Sequence, residues 1–233
     1  MFKMIKNMFH GKKKEDNKLT IKKRVKITDL VNKFSGKRIL QLLAPNDESL
    51  WESCLHKTQL VIIGGFDGTA IKRALIDVPK ITNIHVYESV KKFYKKIKDI
   101  DKKVKVFNEA VWTKKGSVEI NVANDHSFVR SVNRLIAKKI KTVEVVSTVN
   151  ASHVVKRLNR KDFLLFFNCE GAEYSIIKSF LKLKHKPKTI IFQSHEVQDS
   201  LLKLIGLRLL LAKSDYIPVL CHDYAWDIWV QKA

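Results

Sequence analysis

Gln59-Leu60-Val61-Ile62-Ile63-Gly64-Gly65-Phe66-Asp67-Gly68 is the stretch that decides the fold. Leu60 to Ile63 is a continuous apolar run, as expected of a strand buried on both faces. It runs straight into a turn holding Gly64, Gly65 and Gly68. Glycine reaches backbone angles closed to other residues and lets main-chain N–H groups come close to a neighbour. From Thr69 to about Asp77 the pattern is helical, and Pro79 ends it. Strand, glycine turn and helix follow one another here without a spacer.

Outward from this unit the alternation repeats. Asn83 to Tyr87 has the character of a second strand, Val90 to Asp99 of a helix and Val104 to Val111 of a third strand. Val118, Ile120 and Val122 then alternate with Ser117, Glu119 and Asn121, which predicts a half-exposed, antiparallel strand. Thr142 to Thr148 is another strand. Asp162 to Phe167 is a buried one, and Asn168-Cys169-Glu170-Gly171-Ala172-Glu173 is its exit loop. A helix over Tyr174–Leu183, a strand over Thr189–Gln193, a helix over Val197–Lys213 and terminal strands at Ile217–Cys221 and Asp227–Val230 complete the chain. Strands and helices at this spacing predict a Rossmann-like α/β domain over 59–233, with a mostly parallel sheet and right-handed crossovers. Residues 1–58 are expected to be a basic extension whose helices pack on that domain. They comprise Leu19–Phe34, stopped near Ser35-Gly36, and a helix capped by Asn46-Asp47-Glu48 and ending near Lys57.

In such sheets ligands bind beyond the carboxyl ends of the strands. Four polar segments fall there. The first is Gly64, Gly65, Phe66, Asp67 and Gly68. By itself a glycine turn says little, because a purely structural turn looks much the same. The second is Glu88, at the tip of the second strand and 20 residues after Gly68. A carboxylate there is placed to hydrogen-bond the ribose of an adenosine cofactor. The third is Asn108-Glu109-Ala110, in which either Asn108 or Glu109 is positioned to meet an adenine amine. The fourth is Asn168 to Tyr174, in which Gly171 permits a sharp exit and Glu170 projects over the cofactor's reactive end. Glu173, in the first turn of the next helix, suits the helix dipole and has a structural reading. His195, beside Glu196, is a further catalytic candidate, and His126 is a candidate from a lid loop.

Taken together, Gly64 to Gly68, Val86-Tyr87-Glu88, Asn108-Glu109-Ala110-Val111 and Glu170-Gly171-Ala172-Glu173-Tyr174 resemble the FkbM family of S-adenosylmethionine-dependent methyltransferases. The Glu-Gly-Ala-Glu box is the most distinctive part, and the resemblance covers about Gln59 to Val230. It implies a class I methyltransferase fold with a seven-stranded sheet whose last strand is antiparallel. It also implies methyl transfer to a hydroxyl of a sugar or other small metabolite. Glu170 and His195 are then the expected catalytic residues, and Gly64–Gly68, Glu88, Asn108, Glu109 and Asn168 the expected cofactor contacts. Three positions depart from the family pattern. Ile62 stands where an acid is usual, Phe66 where Asn is usual, and Asn168 where Asp is usual. Asp67 is a candidate replacement for the acid missing at Ile62.

Composition frames these readings. Forty-five Lys and Arg against 23 Asp and Glu give a net charge of +22. The first forty residues carry 13 of the basic residues against three acids, so +10 of the total lies there. Such a field attracts polyanions. Met1, Met4, Ile5, Met8 and Phe9 share one helical face ahead of Lys12-Lys13-Lys14, a pattern that suits an anionic membrane surface. Nucleic acid is a lesser expectation, because no arginine-rich or aromatic-interleaved patch accompanies the lysines. The alternative to an enzyme is a degenerate methyltransferase fold that binds RNA or anionic membrane without catalysis. A nicotinamide-dependent dehydrogenase would leave the Glu-Gly-Ala-Glu box unexplained. Cys54, Cys169 and Cys221 lack metal-ligand spacing, so no metal site is expected, and reduced thiols point to a cytoplasmic setting.

Overall fold

The computed structural model describes residues 59–232 apart from 79, 123–126, 130–141, 159–161, 195–200 and 222–225. The expected extension over 1–58, with its helices, lies outside the described residues, as do His126 and His195. In chain order the elements are β1 (Gln59–Ile63), α1 (Thr69–Asp77), β2 (Asn83–Tyr87), α2 (Lys91–Ile97), β3 (Val104–Phe107), β4 (Ala110–Val111), β5 (Gly116–Asn121), β6 (Phe128–Val129), β7 (Val143–Val149), α3 (Ala151–Lys156), β8 (Leu164–Phe167), α4 (Glu173–Leu181), β9 (Thr189–Gln193), α5 (Leu201–Lys213), β10 (Tyr216–Cys221) and β11 (Trp226–Gln231).

Seven strands form one sheet in the order β10-β11-β9-β8-β1-β2-β3. β1 pairs in parallel with β2 and β8, β2 with β3, and β8 with β9. The last strand, β11, slots between β9 and β10 and runs antiparallel to both. This is the expected Rossmann-like, mostly parallel sheet with an antiparallel last strand. All five residues of β1 and all four of β8 are buried, because helices cover both faces. On one face Leu60, Ile62, Ile84, Val86, Leu164 and Phe166 pack against Ile71 and Ala74 of α1 and Ile97 of α2. On the other, Phe163 and Phe167 meet Phe180 of α4, with ring centroids 6.3 and 6.2 Å apart. Burying an aromatic side chain of this kind contributes roughly 2–3 kcal/mol.

The third strand is shorter than its apolar sequence suggests. β3 stops at Phe107, and Ala110-Val111 pair instead with β7 in a second sheet of order β4-β7-β5-β6. The break has a local cause. The side-chain N–H2 of Asn108 donates to the carbonyls of Glu88 and Ser89, each at 2.9 Å, and so ties the chain to the end of β2. The strand expected from the alternation around Val118 and Ile120 is β5. It pairs antiparallel with β7 from Gly116↔Thr148 to Asn121↔Val143. Ile120 turns inward onto Val90, Phe93 and Ala110, which packs this small sheet against the start of α2. Among the described residues no helix is long and apolar enough to cross a membrane.

Candidate functional site

Register brings the four polar segments together. Ile63 lies opposite Tyr87 and Phe167, Tyr87 opposite Phe107, and Phe167 opposite Phe192. Five neighbouring strands therefore end at one level. Gly64, Glu88, Asn108 and Asn168, which leave four of them, share one edge of the sheet with Gln193, the last residue of β9. A cavity of about 270 Å³ opens there, lined by residues that include Gly64, Phe66, Glu88, Glu109, Asn168 and Glu170.

Glu88 is the hub of this edge. It is 5% exposed. Its Oε2 accepts the main-chain N–H of Gly65 at 3.0 Å and of Phe66 at 2.8 Å. Its Oε1 accepts the N–H of Val90 at 2.8 Å. The carboxylate thus clasps the glycine turn to the start of α2. Burial raises its pKa, and the N–H groups of Phe66, Val90 and Gly65 oppose that rise. A carboxylate offers about four lone-pair positions, so one remains for a further donor.

The turn itself is tightly set. Gly64 has φ 91°, and a Cβ on it would stand 2.0 Å from the carbonyl oxygen of Asn168. That contact forces glycine where the β1 and β8 exits pass one another. A Cβ on Gly65 would meet Ile97 and Val86 at 2.5 and 2.7 Å, so its absence serves packing against α2. Phe66 has φ 44°, a left-handed conformation that side chains such as Asn tolerate better than rings. Its ring stands edge-on to Phe93 at 4.7 Å. Asp67 is exposed and holds the start of α1. Its two oxygens accept the N–H and the hydroxyl of Thr69, each at 2.9 Å. Ile62 points into the α1-side core and is fully buried, while its neighbour Ile63 lines the cavity.

Asn108 and Glu109 separate in role. Asn108 spends its amide on the backbone of Glu88 and Ser89, as described above. Glu109 lines the cavity and forms a two-pronged pair with Arg157, with oxygen–nitrogen distances of 2.5 and 3.2 Å. The Arg157 guanidinium lies 4.4 Å from the Phe107 ring centroid, and Phe107 stacks on Tyr87 at 5.0 Å. Behind this stack His85 is 2% exposed. Burial, then the charges of Lys105 and Arg157, push its pKa down to about 4. Burial also raises the pKa of Tyr87, with Arg157 working against that rise.

The exit of β8 carries the remaining candidates. Among the described residues Asn168 Oδ1 is buried without a hydrogen-bond partner, in a residue that lines the cavity. Glu170 and Gly171 both have positive φ, 52° and 90°. A side chain held in this region costs on the order of 1 kcal/mol, and such strain gathers at functional sites. Glu170 lines the cavity beside Cys169. Glu173 is 2% exposed, and its Oε1 accepts the Cys169 N–H at 2.9 Å. It braces the loop from below, in keeping with its structural reading. Arg157, Phe93 and Gln193 had no signal in the sequence. Arg157 lies 48 residues from Glu109, and only the packing of α3 brings the two together.

No family model matches the chain, and no curated protein matches it. Solved structures do. The methyltransferase FkbM of Methylobacillus flagellatus KT superposes with a TM-score of 0.54 at 13% identity, covering 81% of this chain and 48% of that one. The chain has the class I methyltransferase fold. It spans about half the length of that FkbM structure. A precorrin-6y C5,15-methyltransferase from Geobacter metallireducens GS-15 aligns at TM-score 0.44 and 12% identity, over 84% of this chain and 93% of its own.

Proposed function

We propose that the chain is an S-adenosylmethionine-dependent methyltransferase that methylates a hydroxyl of a sugar or other small metabolite. The observation that carries this reading is the convergence of Gly64, Phe66, Glu88, Glu109, Asn168 and Glu170 on one cavity at the carboxyl ends of the central strands. The wall suits the cofactor. The unpartnered Asn168 Oδ1 would take N–H donors of the methionine ammonium, and the remaining lone pair of Glu88 would take a ribose hydroxyl. Glu109, fixed by Arg157, would face the adenine amine. The cofactor supplies an electrophilic methyl on a positive sulfur, so the protein's task is mainly to align the partners. A hydroxyl acceptor must lose its proton as its oxygen attacks, and Glu170 is the candidate base. His195 keeps that role as a second candidate from the sequence. A cytoplasmic setting, with the basic N-terminus at an anionic membrane surface, belongs to the same reading.

The non-catalytic alternative rested on the acid missing at Ile62 together with the +22 charge. Ile62 lies in the apolar core, so in this geometry an acid there would be buried away from the cavity. Calorimetry with S-adenosylmethionine tests the proposal. Binding is expected, weakened about tenfold or more by Glu88→Ala and by Asn168→Leu, each of which removes a buried acceptor. Absence of heat at millimolar cofactor would refute it.

A further inference from the structure

α4 borders two separate openings. Ala172 and Ile176 line the candidate cavity, whereas Tyr174, Ser175, Lys178 and Lys182 line a cleft of about 450 Å³ shared with α3. Residues 174, 178 and 182 recur every fourth position, so they form one stripe along α4. Ser152, in the first turn of α3, and Thr113, beyond β4, belong to the same wall. Among the described residues neither Lys178 nor Lys182 has an ion-pair or hydrogen-bond partner. The hydroxyls of Thr113, Ser152, Tyr174 and Ser175 are likewise unengaged there. Asn150 caps α3 by accepting the His153 N–H through Oδ1 at 3.0 Å, which leaves its N–H2 as a further donor to the cleft. No acidic residue lines this opening. Glu173, the carboxylate of α4, accepts the Cys169 N–H instead. Two ammoniums one helical turn apart repel each other, and an anion between them relieves that repulsion.

We propose that this cleft is a binding site for a phosphorylated polyol of the size of a sugar phosphate. Lys178 and Lys182 hold the phosphate, and the hydroxyls of Tyr174, Ser175 and Ser152 meet those of the polyol. The donors of the cleft outnumber the roughly four lone-pair positions of a carboxylate, so a simple carboxylic acid would leave some of them unused. A phosphate adds oxygens that only accept when ionised, which matches ammoniums that only donate. Hydroxyl side chains both donate and accept, as the hydroxyls of a polyol do. At about 1.5 Å of rise per residue, Tyr174 and Lys182 stand about 12 Å apart along α4, room for both parts of the ligand end to end. The inference goes beyond the methyltransferase reading and does not depend on it.

Glucose 6-phosphate, glucose and inorganic phosphate serve as probes, titrated against the full-length protein at low salt by calorimetry. Glucose 6-phosphate is expected to bind more tightly than either part alone. Lys178→Gln combined with Lys182→Gln should cost about tenfold in its affinity, since both charged donors are lost. A control, Lys80→Gln combined with Lys102→Gln, removes the same charge from exposed lysines outside the cleft and should stay within about twofold. Ser152→Ala combined with Ser175→Ala removes no charge. It should cost about fivefold for glucose 6-phosphate and leave inorganic phosphate within about twofold. Equal losses in the two lysine variants would show general attraction to a +22 chain and overturn the proposal. Full affinity in the serine variant would overturn it as well, because the hydroxyls would then touch no ligand. So would wild-type protein that gives no heat with glucose 6-phosphate at millimolar concentration. Matching melting temperatures of the three variants confirm that folding is not the cause.

Discussion

Three main-chain N–H groups converge on the two oxygens of Glu88, and that arrangement predicts what an amide would do in its place. Gln keeps one acceptor oxygen and turns the other corner into a donor. Either Val90, or Gly65 and Phe66, would then meet N–H with N–H. Glu88→Gln should therefore lower stability without any ligand by about 1–3 kcal/mol, read from urea denaturation. An unchanged midpoint would mean that the turn does not depend on this clasp. The importance of Glu88 was legible in its spacing from Gly68. Its grip on Gly65 and Phe66 was not, since that depends on how the turn folds back across 22 and 23 residues. Asn108 gives a second case. Its place beyond β3 suggested an adenine contact through its side-chain oxygen, and the structure adds a task for its N–H2, which holds the carbonyls of Glu88 and Ser89.

At the scale of elements, α5 is joined to the antiparallel strand by an ion pair sealed from solvent. Arg208 Nε and Nη2 each donate to Asp227 at 2.7 Å, with both side chains fully buried. The Trp229 indole N–H adds a third contact to the same carboxylate at 3.1 Å. Asp227→Asn leaves the guanidinium without its counter-charge, and a loss of about 3–5 kcal/mol is expected from chemical denaturation. A loss below about 1 kcal/mol would mean that water reaches Arg208. The strands of the large sheet were readable because runs such as Leu60–Ile63 and Leu164–Phe167 are apolar without interruption. β5 was readable because one of its faces is wet. The end of β3 was hidden because Val104 to Val111 is rich in apolar residues on either side of the break. α5 is apolar nearly all round, so no period marked its inner face, which Arg208 helps to define.

Across the molecule, His85 links stability to pH. Its folded-state pKa, about 4, lies below the ordinary 6.5. The unfolded chain then binds the proton more readily, so this contribution is complete above about pH 6.5 and is lost as pH falls toward 4. Glu88, with a raised pKa, works in the opposite direction. Comparison with His85→Gln isolates the histidine. Between about pH 7 and about pH 4.5 the wild type should lose roughly 2–3 kcal/mol more than the variant in urea unfolding. Parallel losses would place the titration elsewhere. The strand order has a consequence of another kind. β10 and β9 are separated by β11, which is made after both, so β10 has no strand to pair with until residues 226–231 have left the ribosome. During synthesis the apolar edge of β9 waits open, and the protein depends on residues 226–231 to close a seam already exposed to neighbouring chains.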